Sequence, residues 1–306
     1  MKLKMRYQKI IKITALKILL ILSSLSITAA YADTSYITND ATLIETSSIS
    51  LTSQLEQLED PEHIRILCDD KKAAEYCFTY AAYQDLVLEN YQLAYKYHMK
   101  AFDLGQKESG YYIGAYQINY PEIFKNDTQL NIDEIIVYLE HAFDVGSHDA
   151  TKLLMTIYRD PEFNRIDYNK SESYNKIAIE QNIKKSRVNL AYLYMHRMKN
   201  KSKIIRIIEL LNEDLMLEKN WESALALMTI HLYPEEYGAN LEPDLVKTLA
   251  YAYVSSDLRD GRHEDWFNNV DTRFAEAMQT ELSPETLKQA KALYLELMAK
   301  MNSEHI

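Results

Sequence analysis

The chain has 306 residues, 47% hydrophobic and 26% charged, with 45 Asp and Glu against 34 Lys and Arg and a formal net charge of −11. That balance argues against nucleic acid and anionic lipid as main partners, because binding phosphates requires a basic field. The chain has six glycines and two cysteines, and no phosphate loop, dinucleotide glycine pattern, zinc motif or nucleophile elbow occurs.

Met1 to Ala32 combine Lys2, Lys4, Arg6, Lys9, Lys12 and Lys17 with the apolar run Ile18-Leu19-Leu20-Ile21-Leu22 and the small-residue end Ala30-Tyr31-Ala32. This order predicts a signal peptide over 1–32, cleaved after Ala32, with an uncleaved anchor as the alternative. No Cys stands at the cleavage point to mark a lipoprotein. Cleavage removes six cations and no acid, so the mature chain is more acidic than the whole. Residues 33–53 are rich in Ser and Thr without a helical stripe, which predicts a flexible leader. Helix is expected to begin near Leu55.

Cys68 and Cys77 come next, and in an exported protein a lone pair is first read as a disulfide. Nine residues along one helix would separate them by about 13.5 Å, beyond bridging distance. The chain must therefore turn between them, and Asp69-Asp70-Lys71-Lys72 offers a polar turn. The alternative is a reactive thiol acting as a redox switch.

From Ala94 onward the chain repeats itself. Ala101-Phe102-Asp103-Leu104-Gly105 returns as Ala142-Phe143-Asp144-Val145-Gly146, then more faintly at Ala178 to Asn182 and before Asn220. Gly or Asn at 105, 146, 182 and 220 suits the left-handed conformation that closes a helix. After each stop come a small residue, an apolar one and often Tyr: Ser109, Ile113, Gly114; Ala150, Leu154, Tyr158; Ser186, Leu190, Ala191, Tyr194; Ala224, Met228, Thr229. Before each stop lies a second amphipathic pattern: Ala94, Tyr97, Ala101; Ile135, Tyr138, Ala142; Ser171, Tyr174, Ala178; and, shifted by one, Ile208, Leu211, Leu215. Two helices per period form an antiparallel hairpin that buries its apolar face only by stacking on the next.

Small-x-x-x-apolar-small-x-x-Tyr followed by Ala-x-x-Tyr-x-x-x-Ala and Gly resembles the Sel-one-like repeat, a relative of the tetratricopeptide repeat, over roughly Lys72 to Gly261. The resemblance implies an all-α fold, a right-handed α-solenoid of stacked hairpins, with the array over 54–264 and capping helices over 265–306. Lys247 to Tyr253 looks like one more second helix of the family. Departures are the loss of Gly at Asn182 and Asn220, and Gln117 and Leu232 in place of Tyr. The cysteine pair resembles that of a secreted, cysteine-rich branch, in which every repeat is stapled and the spacing is one shorter.

In tetratricopeptide arrays the concave surface is lined by the first helix of each repeat. By that resemblance it comprises Tyr111, Ala115, Ile118; Lys152, Thr156, Arg159; Val188, Tyr192, Met195; and Ala226, Ile230, Tyr233. Of these, Tyr111, Lys152, Arg159, Val188, Tyr192, Met195, Ile230 and Tyr233 are the candidate partner-binding residues, with aromatic and apolar anchors beside two cations. The competing reading is that curvature buries part of this row.

The loops Tyr120 to Leu130, Asp160 to Asp167 and Pro234 to Asn240 are marked by Pro and Asp as breaks. Asp265 to Met278 is amphipathic, and Ser283-Pro284-Glu285 opens a last helix with Ser as N-cap and Pro at the first position. Of the eight histidines, none pairs with another at three- or four-residue helical spacing; His141 and His148 are seven apart with the stop at Gly146 between them, and His98 and His231 are expected at helix surfaces or edges. No catalytic residue, metal site, cofactor or small-molecule substrate is expected. The resemblance implies a monomeric periplasmic adaptor whose partners are proteins of an envelope machine such as a type VI secretion system. The alternative is an immunity protein covering a basic toxin.

Overall fold

The computed structural model describes residues 60–124, 129–198, 201–238, 242–259 and 270–303. The signal peptide, the leader and the expected helix start near Leu55 lie outside these residues, as do Trp266 and Phe267. Among the described residues there are thirteen α-helices and no strand. The chain divides into two compact units, Met1–Leu104 and Gly105–Ile306.

The first unit contains α1 (Pro61–Lys71), α2 (Ala74–Leu86) and α3 (Tyr91–Asp103). Asp60 opens α1 by accepting from the His63 amide at 3.0 Å, and Asn90 opens α3 by accepting from Leu93 at 3.2 Å, each satisfying a donor that the helix leaves unpaired. Cys68 of α1 and Cys77 of α2 form a disulfide with their Cα atoms 4.8 Å apart. The turn is tighter than the sequence suggests. Asp69, Asp70 and Lys71 remain helical, and Lys72, at φ 53°, alone takes the left-handed conformation. Keeping Asp69 on the helix lets its carboxylate accept from Lys100 at 2.7 Å and from the Tyr97 hydroxyl at 3.2 Å, joining α1 to α3. The disulfide lies in a core with Tyr80, Ala81, Tyr97 and Ala101. His98, expected at a surface, is fully buried edge-on to Phe78 at 5.3 Å, and burial pushes its imidazole down to about 3. It is a neutral core residue at physiological pH.

The second unit holds α4 (Ser109–Asn119), α5 (Ile132–Asp144), α6 (His148–Arg159), α7 (Tyr168–Glu180), α8 (Ser186–Tyr192), α9 (Ile204–Glu218), α10 (Trp221–Leu232), α11 (Leu245–Arg259), α12 (Val270–Glu281) and α13 (Pro284–Ser303). From α4 to α12 each helix packs on the next, and α4 also reaches α6. A π turn, Leu193–Arg197, extends α8. Asn131 and Glu134 form a capping box at the start of α5, while Ser147 and Asp167 cap α6 and α7. Each cap sits where a polar residue precedes an apolar stripe.

Gly105, Gly146 and Asn182 take positive φ as the repeat pattern predicts. The fourth stop differs. Lys219, at φ 50°, is the left-handed residue, whereas Asn220, at φ −82°, opens α10 by accepting from the Glu222 amide at 3.0 Å. Counted from Lys219, the one-residue shift of Ile208, Leu211 and Leu215 disappears. The buried trio of the next helix becomes Ser223, Leu227 and Met228, matching Ser109, Ile113 and Gly114 in the first copy. Asn is the better left-handed residue in isolation, but here its side chain serves the following helix.

The small residues set the spacing between helices. A Cβ on Gly114 would lie 2.9 Å from Leu139 Cδ2, so α4 approaches α5 at glycine distance. The adjoining core contains Ile135, Leu139, Ala142, Ala150, Leu154, Ile157 and Tyr158. At the end of the unit α13 begins as the sequence predicts, with Ser283 accepting from the Thr286 amide at 3.1 Å and Pro284 first in the helix. It packs on α11 and touches α9, burying Ala290 and Met301.

Candidate partner-binding face

The first helices of the repeats in the second unit are α4, α6, α8 with its π turn, and α10. At the third position of the predicted row, thirteen residues past the stop, Ile118, Arg159, Met195 and, with the corrected fourth stop, Leu232 are all half-buried. The second position holds Ala115, Thr156, Tyr192 and Thr229. Thr156 and Thr229 each turn their hydroxyl back to the carbonyl four residues earlier, at 3.0 and 2.9 Å. These side chains therefore satisfy themselves locally rather than across the row.

The candidate residues divide into two groups. Tyr111 is half-buried, packed against the α5–α6 core and edge-on to Tyr112 at 5.1 Å. Lys152 is half-buried and pairs with Asp149 one turn away at 3.3 Å. Arg159 is half-buried, and its Nε is enclosed with no hydrogen-bond partner among the described residues. Tyr192 donates to the Glu222 carbonyl at 3.4 Å and lies 5.6 Å from the His196 ring. Burial, followed by the negative charges of Glu222 and Asp214, raises its phenol well above the usual range. Met195 is half-buried within the π turn.

Val188 and Ile230 are different: each is only 1% exposed. They are core residues and offer nothing to a partner. Ile230 entered the row through the misplaced stop at Asn220. The same shift explains Tyr233, which is the residue closing α10 rather than a member of the row; it is half-buried, and burial and Glu236 raise its phenol. The equivalent positions counted from Lys219 are Leu225, Thr229 and Leu232, all half-buried. The row thus runs through Ile118, Arg159, Met195 and Leu232, with Tyr111, Lys152 and Tyr192 beside it.

No protein-family model matches the chain, and no curated protein matches it. Among solved structures it is similar to a protective antigen present in uropathogenic Escherichia coli strains that displays an SLR (Sel-one-like repeat) fold. The identity is 17% and the TM-score 0.54, over 77% of this chain and 48% of that one. The chain has an SLR fold. It spans about half the length of that structure.

Within the SLR fold, two polar features lie off the repeat pattern. Glu172 of α7 accepts from Lys176 at 2.7 Å, Lys203 at 3.1 Å and the Tyr194 hydroxyl at 2.9 Å, tying α7 to the π turn and to the start of α9. Burial pushes its carboxyl up, but these donors outweigh burial and hold it at about 2. Asp214 of α9 is fully buried, and burial raises its carboxyl to about 6 against the Ser223 hydrogen bond that lowers it. Neither has a sequence signal, because each is one acid among many until the helices stack. No described group of three or more His, Cys, Asp or Glu is arranged to hold a metal ion, and no described helix is long and apolar enough to cross a membrane.

Proposed function

We propose that the chain is an exported protein-interaction scaffold that captures a partner segment along the row Ile118, Arg159, Met195 and Leu232. The observation that carries this reading is the half-buried row itself, in which Arg159 is the one cation between Ile118 and Met195. Its Nε is enclosed, so an incoming carboxylate would be gripped by the two terminal Nη groups, which can hold it bidentately. Ile118 on one side, and Met195 followed by Leu232 on the other, supply apolar contact, with Met195 the most adaptable. Export to the periplasm is supported by the predicted signal peptide and by the buried Cys68–Cys77 disulfide, which suits an oxidising compartment. The work proposed is recognition without catalysis.

The test is crosslinking in intact cells followed by pulldown of the tagged chain, comparing wild type with Arg159→Ala/Met195→Ala. Recovery of several components of one envelope machine, a type VI secretion system among the candidates, that disappears in the double variant is the result expected of an adaptor. A single small basic protein bound one-to-one would replace the adaptor reading with immunity. Capture that is unchanged in a double variant with wild-type melting behaviour would remove the row as the binding face.

A further inference from the structure

At the end of the second unit, α11, α12 and α13 border an open, shallow cleft of about 530 Å³ lined by Tyr253, Gln279, Leu287, Lys288 and Lys291. Tyr253 comes from α11 and Gln279 from α12; the other three come from α13. No carboxylate lines the cleft. The Tyr253 ring stands edge-on to Tyr294 at 5.8 Å, and the Tyr294 hydroxyl is given to Asp257, so the nearby acid is already engaged. Gln279 reaches the Tyr253 hydroxyl only at 3.4 Å.

The charge here runs against that of the whole chain. Lys100, Lys152, Lys176, Lys203 and Lys247 each pair with a carboxylate. Lys288 and Lys291 are exposed and, like exposed Lys72 and Lys96, have no ion-pair partner among the described residues; what sets them apart is that both line one cleft. In a protein of net charge −11, two unpaired ammonium groups one helical turn apart on an acid-free cleft form a local positive field. Their Cβ atoms are spaced at about 5–6 Å, close to the roughly 6.8 Å between alternate side chains of an extended strand. Leu287, the Tyr253 ring and the lysine stems give the cleft an apolar floor.

We propose that this cleft docks an acidic segment of a protein partner. Alternate carboxylates of the segment pair with Lys288 and Lys291, and the next side chain on the same face, an apolar one, rests on Leu287 and Tyr253. Because both lysines stay exposed, the cleft suits a segment lying across it better than a small molecule, which a site would enclose. The proposal does not depend on the row through Arg159.

The test is fluorescence anisotropy of the full chain with a labelled peptide of repeating Glu-Leu-Asp at about 0.15 M salt. Lys288→Glu/Lys291→Glu is expected to weaken binding by about tenfold or more, a difference of roughly 1.4 kcal/mol, with the melting temperature unchanged. Lys288→Arg/Lys291→Arg should retain binding, and Lys96→Glu, at an exposed lysine of α3, should leave it unaltered. Equal binding by wild type and the double Glu variant, or no binding by wild type, would overturn the proposal. So would loss of peptide binding in Arg159→Ala, which would move the site to the row. Lysine-dependent binding of phosphatidylglycerol vesicles without peptide binding would overturn it in favour of a lipid surface.

Discussion

Ser223 donates a 2.5 Å hydrogen bond to the carboxylate of Asp214, and both side chains are fully buried, one on α10 and the other on α9. The second carboxylate oxygen is enclosed with no hydrogen bond of ordinary geometry among the described residues; burial first, then the like charge of Glu218, outweigh the lowering by Ser223, Asn220 and the Val188 amide, and the carboxyl is raised to about 6. An acid whose folded pKa exceeds its unfolded value destabilises the fold when ionised and is relieved as pH falls through the folded pKa. Stability is therefore expected to rise on acidification from about pH 7 toward pH 5. Asp214→Asn, which removes the charge and keeps an acceptor for Ser223, should stabilise the protein at pH 7.5 by on the order of 2–3 kcal/mol and flatten this rise. Thermal melts of both proteins at pH 7.5 and 5.0 check it. A variant equally destabilised at both pH values would show that the ionised form is the one the core is built for.

Glu172 carries the opposite sign. Its carboxyl, held at about 2 by Lys176, Lys203 and Tyr194, contributes stability that is complete above the unfolded value and is lost as pH falls from about 4.5 toward 2. Its side chain is 13% exposed and that of Lys203 29%, so solvent screens the pairing only in part. Glu172→Gln is expected to cost about 1–3 kcal/mol at pH 7 and to remove part of the acid-unfolding limb. Equilibrium unfolding in urea at pH 7 and pH 3 separates the two effects. Similar losses at both pH values would mean that packing, not charge, holds α7 to the π turn.

In the first unit, the disulfide closes a short loop between two helices whose cysteines are fully buried. Chain entropy over a loop of this size predicts a contribution of about 2–3 kcal/mol. Cys68→Ser/Cys77→Ser, or reduction in mild denaturant, should accelerate amide hydrogen exchange in α1 and α2 while leaving α5 to α11 as protected as before. Unchanged exchange in α1 and α2 would mean that the core around Tyr80 and Tyr97 holds the hairpin alone.

The repeat was legible because periodicity is a one-dimensional signal: the small residues at 109, 150 and 186 and the closing residues at 105, 146 and 182 fall where the structure places buried contacts and left-handed turns. The fourth stop is ambiguous in sequence because Asn is both a good left-handed residue and a good N-cap, and position 220 uses the second capacity. Counting from Asn220 rather than Lys219 carries Ile230 and Tyr233 into the binding row, since a slip of one turns a helical position by roughly 100°. Val188 fell for another reason, because equivalent positions in a repeat do not meet equivalent neighbours. The burial of His98 and Asp214 depends on which side chains a third helix brings, and no spacing within one helix records that.

Gly114 and Gly146 distinguish two reasons for having a glycine within one unit. At Gly146 the backbone takes φ +90° and a Cβ would meet nothing within 4 Å, so Gly146→Ala should cost only the left-handed backbone preference, about 1 kcal/mol. At Gly114 φ is ordinary, but a Cβ would lie 2.9 Å from Leu139 Cδ2 and 3.3 Å from Ile135 Cγ2. Leu139 is fully buried and has little room to move, so Gly114→Ala should cost about 1–3 kcal/mol through overpacking of α4 on α5. A double-mutant cycle decides between these causes. Leu139→Ala opens space beside residue 114, so Gly114→Ala/Leu139→Ala should lose less than the two single losses combined, by about 0.5–3 kcal/mol. The Gly146→Ala and Leu139→Ala effects should add. Additivity at Gly114 as well would mean that its absent side chain matters for the helix backbone and not for the approach of α5.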